Sequence, residues 1–461
     1  MPSDIWEKDV FLYGVVVPVI PFALHDRAQV HPREVQHWTA VLLAVYGAAL
    51  LVGSAVCGPF ADKSSSRRAA LLGGLIVLLG ATVMLCLGRS IAVLIAGRLI
   101  QGLSASVVWC VGLALLADIA GENDAGQAMG YVSVAFSMGV LIAPLLGGVV
   151  YARAGYYAVF YMTFSVIAVD IVLRLALIEK KIAARWDPVS EVELQSSTKK
   201  ENTAGASRQE ASNAHAPGQE GTTLANSNTG TVFKRSRVPP MLLLMKSRRM
   251  LAAFWATFVI SSLLTAFDAT LPLYCNRIFG WDSLGGGLIF LALVIPSFSG
   301  PLVGKLSDKF GPRWLATVGL AAALPFWVLL RLVDHNNLKQ KVLLCALLML
   351  IGACVALVVP TVMSEFTYIV DAKEKQQPGI YGANGAYAQA YSIFNVAWAS
   401  GALVGPVWAG YVEAAGGWGT MTWSLGAFSA VSAVPVALFT GGFITRKKHQ
   451  SASVREETVL A

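Results

Sequence analysis

Nearly unbroken apolar runs, such as Leu71 to Leu87 and Val342 to Val359, most constrain what this chain can fold into. A core strand needs only about five or six residues, whereas about twenty helical residues cross a bilayer core. Only helices and closed barrels cross lipid with every backbone amide satisfied, and these runs are too long and continuous for barrel strands. The chain is 56% hydrophobic and 13% charged, against about 25% charged in soluble domains. It therefore lacks the polar surface to coat a soluble globule, and the expected fold is an all-α polytopic membrane protein.

The runs place spans near residues 5–24, 38–60, 69–87, 91–117, 129–151 and 157–178. A second set lies near 250–274, 284–304, 314–333, 341–365, 386–411 and 419–443, giving about twelve spans in two pseudo-symmetric six-helix halves. Between them, residues 182–240 are rich in Ser, Asn, Thr, Gly, Gln and Glu and show no apolar period, so a disordered linker is expected. The resulting organisation is an N-terminal bundle over 1–181, the linker 182–240, a C-terminal bundle over 241–445 and a tail over 446–461. The stretch Val238-Pro-Pro-Met-Leu-Leu-Leu-Met is too short to span and is expected to lie in the interface before the seventh span.

The net charge of +8 sits in loops between spans, which speaks for membrane orientation rather than nucleic-acid binding. Lys63, Arg67, Arg68, Lys305, Lys309, Arg313, the 234–249 cluster and Arg446 to Lys448 all fall on one side if both termini are cytoplasmic. Arg331, Lys339 and Lys341 fall on the other side, and the acidic loop 118–127 does not help. The six cysteines are scattered singly, without zinc or redox spacing, and no cofactor or metal is expected.

Two signatures occur twice, about 250 residues apart. Gly58-Pro-Phe-Ala-Asp62-Lys63, followed by Arg67 and Arg68, recurs as Gly304-Lys-Leu-Ser-Asp308-Lys309, followed by Gly311 and Arg313. The glycine lets two helices approach closely, the aspartate can accept from helix N-terminal amides, and the arginines suit anionic headgroups. The second signature, Gly139-x-x-x-Ala143-Pro144-x-x-Gly147, recurs as Gly401-x-x-x-Gly405-Pro406. Small residues four apart make a flat face, and proline bends the helix, which suits surfaces that slide between the halves. One copy alone reads equally well as a solvated turn or ordinary packing; two copies favour a chain built twice, as many secondary transporters are.

Twelve spans, the Asp-Lys loop, Arg98-Leu-Ile-Gln-Gly102 and the Gly-Pro fifth span resemble the major facilitator superfamily, in particular its drug:proton antiporter branch. Asp9-Val-Phe-Leu-Tyr-Gly, Phe267-Asp268-Ala-Thr-Leu-Pro272, Gly126-Gln-Ala-Met-Gly130-Tyr and Tyr391-Ser-Ile-Phe-Asn395 are similar to the vesicular amine transporters and their fungal relatives. The resemblance implies that Asp9 pairs with a cationic substrate, that Asp268 takes part in protonation and substrate binding, and that Arg98 serves proton movement.

A charge at bilayer depth costs roughly 2.5–3.5 kcal/mol on the insertion scale, so each needs a reason. The structural alternatives are a helix-end cap for Asp268, a snorkelling side chain for Arg98 and a helix pair for Asp170 with Arg174. Only Met1 to Lys8 precede Asp9, where relatives have a longer apolar stretch; the first span is either half-length or begins upstream of this sequence. The resemblance also shows departures. Asn395 stands where amine transporters have an acidic residue, and Tyr46 where they have a lysine. This thinner charge network suits larger amphipathic or neutral cargo, with Tyr46, Trp109, Phe267, Tyr391 and Asn395 as pocket candidates.

The expected function is proton-coupled export of a small organic molecule (drug, toxin or secondary metabolite) by a monomer in the plasma or vacuolar membrane. The alternatives are a nutrient symporter or facilitator, and a transporter-like sensor. No nucleophile motif, phosphate loop or His/Cys/Glu cluster at a span end suggests an enzyme.

Overall fold

A computed structural model describes residues 27–63, 67–120, 124–176, 240–281, 288–377 and 386–441, with scattered residues between 11 and 24 and at 285, 380 and 381. Among the described residues every regular element is helical. The helices are α1 (Pro32–Lys63), α2 (Arg67–Leu87), α3 (Ile91–Ala120), α4 (Ala125–Ala154) and α5 (Tyr156–Ala176). After the expected linker, which lies outside the described residues, come α6 (Pro240–Met245), α7 (Arg248–Phe279), α8 (Phe290–Val294) and α9 (Gly300–Phe310). The last three are α10 (Pro312–Leu329), α11 (Leu338–Gln376) and α12 (Tyr387–Phe439).

Nine helical stretches among the described residues are long and apolar enough to cross a membrane. Helices α1 to α5 match the second to sixth expected spans. The eighth span is α8 and α9 joined by a 3-10 turn at Ile295–Ser299, and the eleventh and twelfth spans are continuous in α12 through Gly417, whose φ of 77° turns the chain. The tenth span runs further than its apolar run: α11 has 39 residues, about 58 Å, because the polar segment after Glu365 stays helical beyond the apolar stretch. The first span and Asp9 fall mostly or wholly outside the described residues.

The helices before and after the linker belong to one compact unit, Met1–Asp170 with Arg235–Ala461. Ile171–Lys234 forms a second, of which only residues 171–176 are described. Close helix approaches are set by glycine. On α12, a Cβ at Gly401 or Gly405 would collide with the carbonyl of Phe258 or Ser262 on α7. On α4, a Cβ at Gly147 would lie 2.5 Å from the Val15 carbonyl oxygen.

This corrects one expectation. The Gly139–Gly147 and Gly401–Pro406 faces were expected to slide between the halves, but Gly147, Gly401 and Gly405 pack inside their own sets. Gly139 is buried, Pro406 lies within α12, and the Pro144 side chain is outside the described residues. The physical reason is the neighbour each glycine meets: the carbonyls of Val15, Phe258 and Ser262 belong to the same set as the glycine that faces them.

The glycines at the junction between the two sets are others. Gly126 and Gly130 of α4 face Gly304 and Gly300 of α9, and a Cβ at Gly300 would lie 2.7 Å from the Gly130 carbonyl oxygen. Gly58 of α1 faces α12, with Ser392 Cβ 2.7 Å and Gln389 Cα 3.0 Å from where its Cβ would be. Overpacking such a backbone contact costs about 1–3 kcal/mol or more. Gly304→Val is therefore expected to lower the melting temperature of detergent-purified protein by several degrees. Gly80→Ala, with nothing within 4 Å, should leave it nearly unchanged.

Candidate functional site

The site begins at two helix N-termini that have no cap of their own. An α-helix leaves four amides unpaired at its start, normally satisfied by a Ser, Thr, Asp or Asn side chain at the cap position. Asp124 precedes α4 and Ala386 precedes α12, and neither side chain caps its helix. Both helices borrow an aspartate from the opposite set.

Asp308 of α9 accepts from Gly126 N (2.7 Å) and Gln127 N (2.9 Å) at the start of α4. Asp62 of α1 accepts from Ala388 N and Gln389 N (both 3.0 Å) at the start of α12. The glycine four residues before each aspartate completes the match: a Cβ at Gly304 would lie 2.9 Å from Gln127 Cα, mirroring Gly58 against Gln389. Each carboxylate also meets the positive end of a helix dipole, and hydrogen bonds to a charged group contribute about 1.5–3 kcal/mol. The doubled signature is therefore a pair of equivalent clasps across the junction.

A neutral polar seam runs inward from the Asp62 clasp. Ser392 donates to the Ser54 carbonyl, Cys110 Sγ lies 3.4 Å from Ser392 Oγ, and Asn395 Nδ2 donates to Cys110 Sγ at 3.3 Å. Tyr391 is fully buried, with its hydroxyl 2.7 Å from Thr367 Oγ1 and donating to Met129 Sδ at 3.5 Å. Beside it, edge-on rings join α3, α4 and α12: Trp109 to Phe136 at 5.9 Å, Phe136 to Trp398 at 5.4 Å. Trp109, Phe136 and Trp398 are half-buried, so their faces are not wholly used in packing.

Three of the expected pocket residues, Trp109, Tyr391 and Asn395, thus meet at this junction. Tyr46 is buried on α1, where its carbonyl abuts Gly102 of α3. Phe267 stacks on Trp327 of α10 at 4.3 Å, inside an apolar cavity of the C-terminal set. The lining of that cavity does not include Trp109, Tyr391 or Asn395, so Phe267 is not brought together with them.

The charged candidates separate by environment. Arg98 is fully buried on α3, donates to Gln101 Oε1 at 2.9 Å, and lines a small cavity with Leu42, Leu85 and Phe160. A buried, hydrogen-bonded guanidinium replaces the snorkelling alternative. Asp268 lies eleven residues before the end of α7, about 16 Å along the axis, yet its side chain is exposed. Among the described residues no hydrogen bond or ion pair holds it, so the cap alternative fails there.

Two residues play roles the sequence did not suggest. Glu365 is buried on α11, where Arg249 grips both carboxylate oxygens and Gly441 N donates at 2.8 Å. Arg313 was expected at headgroups; its Nε instead donates to the Thr440 carbonyl at 2.6 Å, closing the end of α12. The side chain of Arg67 is outside the described residues. Gln389 and Tyr368, which also bind the clasp aspartates, were missed as well. The shared glutamine at Gln127 and Gln389, each just inside a helix start without a cap, is the signal that could have found the clasps' far sides.

Removing one partner of a buried ion pair costs about 3–5 kcal/mol, because the other charge is stranded. Arg249→Leu should therefore destabilise the protein strongly in a detergent melting assay. Arg249→Leu combined with Glu365→Leu should recover most of that loss.

Comparison with known proteins agrees with this architecture. The chain is 35% identical to an uncharacterised MFS-type transporter, C18.02, of Schizosaccharomyces pombe, over 88% of this chain and 87% of that protein. It is 32% identical to the MFS-type transporter ppzB of Metarhizium rileyi, over 94% of this chain and 92% of that one. The human organic anion transporter MFSD10 (TETRAN) superposes with a TM-score of 0.63 at 18% identity, covering 94% of this chain and 97% of that one, and shows the fold. The profile of the Major Facilitator Superfamily matches residues 9–387, and the chain belongs to that family of membrane transporters.

Proposed function

We propose that this transporter exports a small organic compound, amphipathic or cationic, in exchange for protons, by alternating access. The observation that carries the reading is Asp268: an exposed carboxylate inside the apolar helix α7, eleven residues from its end, with no hydrogen bond or ion pair to a described neighbour. Lipid would penalise a bare charge there by roughly 2.5–3.5 kcal/mol, so the group belongs beside a water-filled path or carries a proton.

In this reading an inward proton gradient protonates Asp268 from the outer side, and the neutral acid releases a cationic cargo. Facing the cytoplasm, it loses the proton and binds the next cargo molecule. The neutral seam of Tyr391, Asn395, Ser392 and Cys110, with the Trp109–Phe136–Trp398 rings, supplies stacking and hydrogen bonding for the body of the cargo. Arg98, and Asp9 outside the described residues, serve as further coupling groups by family resemblance. Residues 1–181 and 241–445 act as the two rocking bundles of a monomer, with linker 182–240, tail 446–461 and both clasps on the cytoplasmic side of a plasma or vacuolar membrane.

Transport into sealed inside-out vesicles under an imposed pH gradient, with a fluorescent lipophilic amine as probe, tests the coupling. Gradient-driven accumulation is expected in the wild type. Asp268→Asn should abolish it while leaving downhill exchange of labelled for unlabelled probe. Gradient-driven uptake that survives Asp268→Asn removes Asp268 as the proton site, and wild-type exchange that ignores the gradient removes antiport.

A further inference from the structure

The six cysteines are scattered singly along the chain, yet the fold brings two of them together. Cys57 lies near the end of α1 and Cys110 lies on α3, and their free thiols hydrogen-bond to each other. Their surroundings agree. Ser392 Oγ lies 3.4 Å from Cys110 Sγ and donates to the carbonyl of Ser54, one turn before Cys57. A Cβ at Gly58, the residue after Cys57, would collide with the same Ser392 hydroxyl.

The two thiols differ in a way that suits stepwise reaction. Cys57 is half-buried, so a reagent has an approach to it. Cys110 is fully buried, and Asn395 Nδ2 donates to its sulfur at 3.3 Å. The thiolate is the reacting form of cysteine, and a donor on sulfur stabilises its negative charge. Packing alone accounts for a buried cysteine, but not for two thiols in contact with an amide turned on one of them.

Two sulfurs fall short of the four ligands of a structural zinc site, and among the described residues no group of three or more His, Cys, Asp and Glu could hold a metal ion. The pair suits an acceptor that needs only two sulfurs and is neutral once bound, because a net charge is costly in an apolar surrounding. Trivalent arsenic carrying one organic group meets both demands.

We propose that Cys57 and Cys110 form a dithiol site that captures organic trivalent arsenicals, with one arsenic atom bridging α1 and α3. Cys57 attacks first and Cys110 closes the bridge. Two As–S bonds form and the arsenic–oxygen double bond of the organoarsenic oxide breaks. Both thiol protons leave with that oxygen as water, and arsenic stays trivalent, so no oxidant is consumed. The second bond forms within one molecule, which strengthens capture about 100-fold or more over a single thiol. The inference is independent of the cargo, of proton coupling and of the direction of transport.

Phenylarsine oxide added to the purified full chain in detergent, followed by intact mass, tests the site. The wild type should keep one arsenical per chain through a wash with the monothiol mercaptoethanol and release it to the dithiol dimercaptopropanol. Cys57→Ala and Cys110→Ala should each weaken apparent binding about 100-fold, whereas Cys86→Ala and Cys354→Ala should change it less than about twofold. A wild type stripped by the monothiol overturns the proposal. So does retention that follows Cys275 and Cys345, the other two thiols that act on one another. Digestion of the loaded wild type needs no variant: it should yield the Cys57 and Cys110 peptides joined through arsenic, and arsenic joining any other cysteines overturns the assignment.

Discussion

The junction of this protein depends on two helices that cannot satisfy their own first amides. Helices α4 and α12 start without a capping side chain, and each is completed by a carboxylate from across the molecule. The glycine one turn before each aspartate lets the backbones approach closely enough for that bond to form. A cap supplied from outside differs from an ordinary one in a single respect: it can be withdrawn without unfolding the helix. The same interaction that stabilises the closed junction is therefore also one that a transport cycle can break and remake.

The contrast with the other glycine contacts supports this division. Gly147, Gly401 and Gly405 meet backbone within their own sets of helices. Those seams hold each set as a body. At the far end of α11, the Arg249–Glu365 pair and the Gly441 amide bind the starts and ends of α7 and α12 together. The C-terminal set is thus tied at its margin by a buried ion pair, while the junction is tied by carboxylates on helix ends.

Much of this was legible in the sequence. Apolar run length fixed the helical membrane class, and duplication of Gly-x-x-x-Asp identified both clasps, because a capping geometry needs few residues at fixed spacing. The partners across the junction were not legible: nothing in the spacing of Asp62 and Asp308 says which helix start each one meets. The Gly-Pro faces were assigned to the wrong seam for the same reason, since a flat helix face does not reveal its neighbour. Phe267 was expected among the stacking aromatics, but adjacent positions on a helix point about 100° apart, and its ring turned to Trp327 while the Asp268 carboxylate stayed exposed. Glu365 and Arg249 lie 116 positions apart in the chain, and no spacing rule connects them.

In the proposed alternating-access cycle, the two aspartate clasps hold this end of the molecule shut. Spin labels at Ala69 on α2 and Lys309 on α9, read as a distance distribution in lipid nanodiscs, test it most directly. One short distance is expected for the wild type, and a population shifted to longer distances when Asp62→Asn and Asp308→Asn are combined. An unchanged distribution in that double variant, with the protein intact, would contradict it.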